Sequence, residues 1–418
     1  MSLKRRSFLT GAGAVALSAA ASPAFAQSVI DEFLNTPRRG DWNNQFDARV
    51  SVGDRVASTL PILSQETVFY LEQAISTYQG LVAGGGWPMV PATKKLKLGV
   101  IDPDVEVLRR RLMVSGDLAP GAGISPAFDS YVQAALERFQ TRHGLPADGV
   151  TGRYTFAAMN VSADVRLQQL QTNLVRLREL TAGDLGQRFV MVNIPAAQIE
   201  AVQDGRVALR HTAVVGKVDR QTPLLSSRIN EIIINPYWNA PESIVRRDII
   251  PLVRQDPDYL SKNNIHILDS KGNEVDPLTI DWSTEEAAKL RFRQDPGKIN
   301  AMSSVKINFP NKHAVYMHDT PQQNLFSDLD RFYSSGCVRV QNVRDLVTWL
   351  LRETDGWDRQ RFEQTIKTGE STPVQLAVPV PVYFVYISAW STGDAVVHFR
   401  DDIYGLDGVD ELQLSSTL

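Results

Sequence analysis

With one cysteine in 418 residues, the chain cannot staple itself with a disulfide. It also lacks a His-Glu-x-x-His or any other tight cluster of metal-ligating side chains, which sets zinc chemistry aside. Charge of one sign is missing too: 44 basic and 47 acidic residues give a formal −3. No basic tract carries interleaved aromatics, so neither nucleic acid nor an anionic membrane is expected as the principal partner. No segment supplies the ~20 consecutive apolar residues that a bilayer core requires. What remains is a chain with 43% hydrophobic side chains, enough for a substantial core and two or three domains.

The first 26 residues read as an export signal: Lys4, Arg5 and Arg6, a short small-residue apolar run from Gly11 to Ala21, then Ala24-Phe25-Ala26. Cleavage is expected after Ala26, leaving no stable membrane anchor. The paired arginines before Ser7-Phe8-Leu9 resemble the twin-arginine pattern. In an oxidising compartment an unpaired thiol is a hazard, so Cys337 calls for a reason. The bland reading of a lone cysteine is a small buried hydrophobe, and its neighbours have to decide between the two.

Periodicity divides the rest. Residues 27–97 read as a helical scaffold, with Val68, Leu71, Ile75 and Tyr78 at helical spacing, and Gly84-Gly85-Gly86 as a linker. Residues 98–160 form a small three-helix unit, with helices expected over 107–114, 128–143 and 154–160. His143 reads there as a helix-end cation. Residues 161–187 carry Leu167, Leu170, Leu174 and Leu177, one stripe suited to an internal contact. From Arg188 the period becomes two, and Asp204-Gly205 marks a β-hairpin. Further strands are expected at 232–234, 305–309 and 314–317. The catalytic unit is set at 188–375, with a helical lid insertion at about 242–296 and a C-terminal strand and tail at 376–418. The expected fold class is α+β and multidomain.

The chemistry gathers in Tyr316-Met317-His318-Asp319 and Ser334-Ser335-Gly336-Cys337-Val338-Arg339. A free thiol has a pKa of ~8.5, so a neighbouring imidazole that takes its proton makes it a far better nucleophile. His318 is the best placed of six histidines. This order, with Asn235-Pro236-Tyr237-Trp238, Arg293-Gln294-Asp295-Pro296-Gly297 and Asp402-Ile403-Tyr404-Gly405, resembles the YkuD-type L,D-transpeptidases, in particular their large YcbB-like branch. The string from Phe139 to Gly152 resembles the helical peptidoglycan-binding module of wall enzymes.

The resemblance implies a periplasmic enzyme that forms 3→3 peptidoglycan cross-links through a cysteine thioester, without cofactor or metal. Cys337 would accept the acyl group and His318 would be the base. The backbone carbonyl of Asp319 would hold the imidazole tautomer, and Gly336 and Cys337 would offer amides to an oxyanion. Ser334, Ser335, Arg339, Asn342 and Tyr316 are the implied substrate-binding set, with Arg339 equally able to be a salt bridge beneath the loop. Shorter relatives carry histidine where Ser335 stands. The implied partners are peptidoglycan stem peptides and glycan, with an outer-membrane protein as another amine acceptor, for a monomeric chain. An L,D-carboxypeptidase using the same cysteine, or a non-catalytic wall-binding protein, stays open as an alternative.

Overall fold

The structure, a computed structural model, describes residues 58–393 and 396–414. The expected signal, its cleavage site and the scaffold up to residue 57 lie outside the described residues. Helix α1, Gln65–Ala83, starts at Ser64, whose side chain accepts the Thr67 N–H and satisfies one of the orphan donors of the first turn. Helices α2 (Pro103–Val114) and α3 (Ser130–Arg142) open in the same way on Asp102 and Asp129. With α4 (Arg153–Met159) they enclose one core of Leu108, Leu112, Phe128, Leu136 and Phe139. His143 is not a solvated cation. It is buried, stacks on Phe139 and donates from Nδ1 to the Phe139 carbonyl. Burial, then the nearby Arg142 and Arg166, push its pKa well below the ordinary value. In α5, Ala163–Thr181, the leucine stripe turns inward: Leu170 and Leu177 are buried with α1 against the sheet that follows.

That sheet closes on itself. Strands β1 (Arg188–Asn193), β2 (Gln198–Gln203) and β3 (Arg206–Gly216) run as antiparallel neighbours. Asp204 and Gly205 both adopt positive φ in the two-residue turn between β2 and β3. After β4 (Leu225–Ile234) the chain leaves the sheet at Asn235 and returns at Ser304, whose carbonyl accepts the Asn235 N–H. This excursion is wider at both ends than the expected 242–296. It holds β5 (Trp238–Ala240), a π-helical stretch Val245–Ile249, α6 (Ile250–Gln255), α7 (Tyr259–Lys262), β6 (Ile265–Leu268) and β7 (Arg291–Gln294), around a core of its own.

Strands β8 (Val305–Asn308), β9 (Met317–His318), β10 (Phe332–Ser334) and β11 (Val338–Val340) follow. Then come α8 (Val343–Leu351), α9 (Arg359–Thr368) and β12 (Thr372–Val385). The order β3-β11-β9-β8-β4-β12-β1-β2, with β2 also paired to β3, makes an eight-stranded barrel. Val192, Ala213, Ile232, Ile307, Met317, Val338 and Val340 fill it, with Leu346 and Leu350 of α8 in the same core. The boundary set at residue 375 therefore fails, because β12 pairs with β4 on one side and β1 on the other. The strand expected within 376–418 is thus part of the barrel and begins earlier, at Thr372; Pro379 falls in the register shift between Gln375 and Val380, while Pro373 and Pro381 stay in register with Ile233 and Arg228. A final hairpin, β13 (Ala389–Ser391) and β14 (Val397–Phe399), packs on α1 and α5.

Candidate active site

Successive residues of a strand point to opposite faces, and that alternation selects the side chains that leave the barrel together. Met317 and Val338 are register partners and face the core. Tyr316, His318, Cys337 and Arg339 consequently share the outer face, with Lys306 of β8 paired opposite His318.

His318 is 7% exposed and donates from Nδ1 to the backbone carbonyl of Asp319 at 2.5 Å. A carbonyl can only accept, so the other nitrogen, Nε2, is the one left basic. Burial, then the positive charge of Arg339, lower the pKa of this imidazole to about 3. It is neutral at physiological pH. Cys337 is half-buried, and desolvation pushes its thiol up, while hydrogen bonds from Tyr316 and the charges of Lys306 and Arg339 pull the other way. Among the described residues no hydrogen bond joins Cys337 to His318; Tyr316 is the neighbour that most offsets the desolvation of the thiol. The sequence reading anticipated a thiol ionised by its neighbour. The resting site holds both groups neutral, because removing either charge from water costs more than the contacts return.

The loop before Cys337 is held from several sides. Gly336 has φ 109°, a conformation that other residues rarely adopt, and a Cβ there would approach the Gln221 carbonyl to 3.4 Å. Its N–H, expected to face an oxyanion, is committed to Ser334 Oγ at 3.1 Å. The Ser334 hydroxyl in turn donates to the Cys337 carbonyl. Thr222 Oγ1 donates to the Gly336 carbonyl at 2.9 Å, and the Tyr404 hydroxyl donates to the Gly216 carbonyl at 2.6 Å while accepting from the Thr222 N–H. Ser335 accepts from Arg220 at 3.0 Å. Ser334 and Ser335 are thus engaged within the protein.

Arg339 is buried and donates to Gln322 Oε1 at 2.5 Å, under the site. Asn342, at φ 51°, turns the chain from β11 into α8 in the left-handed conformation that asparagine tolerates. The Asp319 carboxylate accepts from Ser304 and from the Thr320 N–H, which fixes the carbonyl that holds His318. Tyr316 packs against the core of the excursion and has Lys306 Nζ 4.4 Å from its ring centre.

Sequence reasoning missed Lys306, Arg220 and Thr222. Lys306 was detectable as the outward position between core residues Val305 and Ile307 on β8. Arg220 and Thr222 lie in a loop with no motif, and only the fold carries them to Cys337. Among the described residues no group of three or more His, Cys, Asp or Glu is placed to hold a metal ion. No helix there is long and apolar enough to cross a membrane.

A thiol and an imidazole with one nitrogen tied back thus share one face of the β-barrel wall. Residues 187–380 match the model of the YkuD L,D-transpeptidase catalytic domain, and residues 102–159 match the model described as "Putative peptidoglycan binding domain". Residues 187–380 are thus similar to the YkuD L,D-transpeptidase catalytic domain, and residues 102–159 to the peptidoglycan-binding family. A curated relative from Haemophilus influenzae, "Putative L,D-transpeptidase", is 36% identical over 241 residues, 57% of this chain and 48% of the relative. The chain thus spans about half the length of the curated relative it matches. Solved L,D-transpeptidase structures from Stackebrandtia nassauensis (14% identical, 71% of this chain and 96% of that one, TM-score 0.26) and Xylanimonas cellulosilytica (16%, 71% and 99%, TM-score 0.23) overlap it only loosely. The assignment rests on the sequence matches.

Proposed function

We propose that this protein is a periplasmic L,D-transpeptidase that forms 3→3 cross-links between wall stem peptides, or joins a stem to another amine, through a thioester on Cys337. The observation that carries this reading is the tied imidazole: with Nδ1 on the Asp319 carbonyl, His318 offers a neutral, basic Nε2 on the face that bears the thiol.

Cys337 attacks the carbonyl that follows the third stem residue as His318 Nε2 takes the thiol proton. The S–C bond forms, the C–N bond to the terminal D-alanine breaks, and the proton leaves on that amine. An incoming amine then attacks the thioester, the C–S bond breaks, and the amine's proton returns to sulfur by way of His318. With the Gly336 N–H engaged, the Cys337 N–H is the donor left for the oxyanion. A thiol held neutral at rest also resists oxidation, which depends on thiolate. The excursion from Asn235 to Ser304 acts as a lid over Tyr316 that favours amine over water. The peptidoglycan-binding domain holds the chain to the wall.

Intact-mass analysis after exposure to a carbapenem, and product analysis with disaccharide-tetrapeptide, test the proposal. A covalent adduct lost in Cys337→Ala, together with 3→3 dimer, is expected. Tripeptide with no dimer would replace the transferase by an L,D-carboxypeptidase, and unchanged turnover in Cys337→Ala would remove both.

A further inference from the structure

We infer that Arg220 is a positioning residue that latches the excursion onto the nucleophile loop, so that seating the lid and setting Cys337 are one event. This rests on the acyl-transfer reading above. Arg220 lies between β3 and β4, outside the catalytic row. Its guanidinium grips Asp248 with two hydrogen bonds, Nη1 to Oδ2 at 2.7 Å and Nη2 to Oδ1 at 2.9 Å. The same Nη1 donates to Ser335 Oγ at 3.0 Å. One fork therefore joins the excursion to the residue two places before the nucleophile.

The neighbours of Arg220 hold the same loop by backbone contacts. The Gln221 and Arg220 carbonyls flank Gly336, and Thr222 Oγ1 donates to the Gly336 carbonyl. Residues 220 to 222 thus grip the nucleophile loop directly and the lid through one side chain.

Asp248 belongs to the π-helical stretch Val245–Ile249, whose Val245 and Ile249 sink into the excursion's own core. Its side chain is 4% exposed and that of Arg220 13%. Two charges buried this deeply cost several kcal/mol of desolvation, and such a pair contributes little net stability. Its geometry is what it supplies: a bidentate pair tolerates one register and resists sliding. A π-helical turn is a frequent marker of a functional position. If the excursion lifts, Asp248 leaves, the guanidinium loses its counter-charge, and its hold on Ser335 changes with it. In the latched state the thioester is covered while the loop that bears it is fixed.

The consequence is a partition. Amine and water both attack the thioester carbonyl, both break the C–S bond, and both return a proton to sulfur through His318. They differ in how well the site is covered while the acyl group waits. The full mature chain carrying Asp248→Asn, Arg220→Lys or the reversed pair Arg220→Asp with Asp248→Arg tests this. In Asp248→Asn the ratio of dimer to tripeptide from disaccharide-tetrapeptide should fall ~10-fold or more, within the usual range for two coupled segments. Acylation by a carbapenem, which needs only the thiol and the base, should fall less. Arg220→Lys, a point charge without the fork, should sit between, and the reversed pair should recover most of the ratio.

A folded Asp248→Asn with an unchanged ratio overturns the latch. Hydrogen exchange on the unsubstituted chain decides independently if the variants do not fold. Amides of 245–249 and of 334–338 should gain protection together on carbapenem acylation, and protection of one segment without the other overturns the proposal. If the unsubstituted chain makes no dimer at all, the transferase reading fails while hydrogen exchange still tests the latch.

Discussion

The proposed chemistry turns on the tautomer of His318, whose Nδ1 is tied to the Asp319 carbonyl. Replacing His318 by Gln keeps a polar side chain of similar reach but removes the base, and acylation by a carbapenem should slow by ~10²–10⁴. Stopped-flow or timed intact-mass measurement checks this, with near-normal acylation as the result that would discard the assignment. The neutral resting pair also fixes a pH dependence. Because burial and Arg339 hold His318 at about 3, the base is available far into the acid range. The rate of carbapenem acylation should therefore show no acid limb near 6.5, the ordinary histidine value. A limb at that pH would mean an imidazole in contact with water. Cys337, His318 and Arg339 were all legible as motif positions. Their protonation states were not, because desolvation depends on what covers a side chain, and the cover of this face comes from residues far away in sequence.

Elements decide how rigidly those residues are presented. Tyr404 stands in the string Asp402-Ile403-Tyr404-Gly405, and its role is structural: its hydroxyl bridges Gly216 and Thr222, behind the nucleophile loop. Tyr404→Phe keeps the ring and leaves buried partners unsatisfied, at a cost of ~1–3 kcal/mol. The melting temperature should drop, and acylation should slow with it as the Gly336 turn loosens. A variant with unchanged melting temperature would show that water replaces the hydroxyl at no cost. At this scale the hairpin at Asp204-Gly205 was readable, since turn chemistry is local, whereas the helix starts on Asp102 and Asp129 were not singled out. The start of β12 at Thr372 and its place in the barrel were not readable, because only β4 and β1 on either side reveal them. The two-residue β9 was read as a longer strand, since apolar character extends beyond the hydrogen-bonded ladder.

For the whole molecule, the helical domain is tied to the C-terminal hairpin through a buried arginine. Arg142 makes a buried pair with Asp117 inside the helical domain, and its Nη1 also donates to the Val397 carbonyl of β14. Arg142→Met leaves Asp117 uncompensated and should cost ~3–5 kcal/mol. Calorimetry should then show the helical domain melting ahead of the barrel, and a single unaltered transition would contradict the coupling. Acid should act on the same joint. His143 and His398 are buried with pKa values held low, that of His398 at about 3, first by burial and then by arginines. Each stays neutral in the fold while the unfolded chain takes a proton below ~6.5. Stability is thus full above that pH and is lost as pH falls below it, for His398 down to about 3, by up to ~1.4 kcal/mol per unit for each histidine. His398→Phe, which keeps the stack on Trp390, should flatten the fall in melting temperature between pH 6.5 and 4. An equally steep fall would assign the acid sensitivity to other groups.

The sequence by itself pointed to Cys337 as the proposed nucleophile, to His318 as its proposed base and to the two kinds of domain, because a unique thiol, a paired histidine motif and turn-marked periodicities are local properties of the chain. The tertiary structure alone decided that β12 belongs to the barrel, that the Gly336 amide is already engaged, and that thiol and imidazole rest uncharged. It also brought Arg220, Asp248 and Ser335 to one point. Each of these depends on which distant segments exclude water from a given atom, and no stretch of sequence states that before the chain has closed on itself.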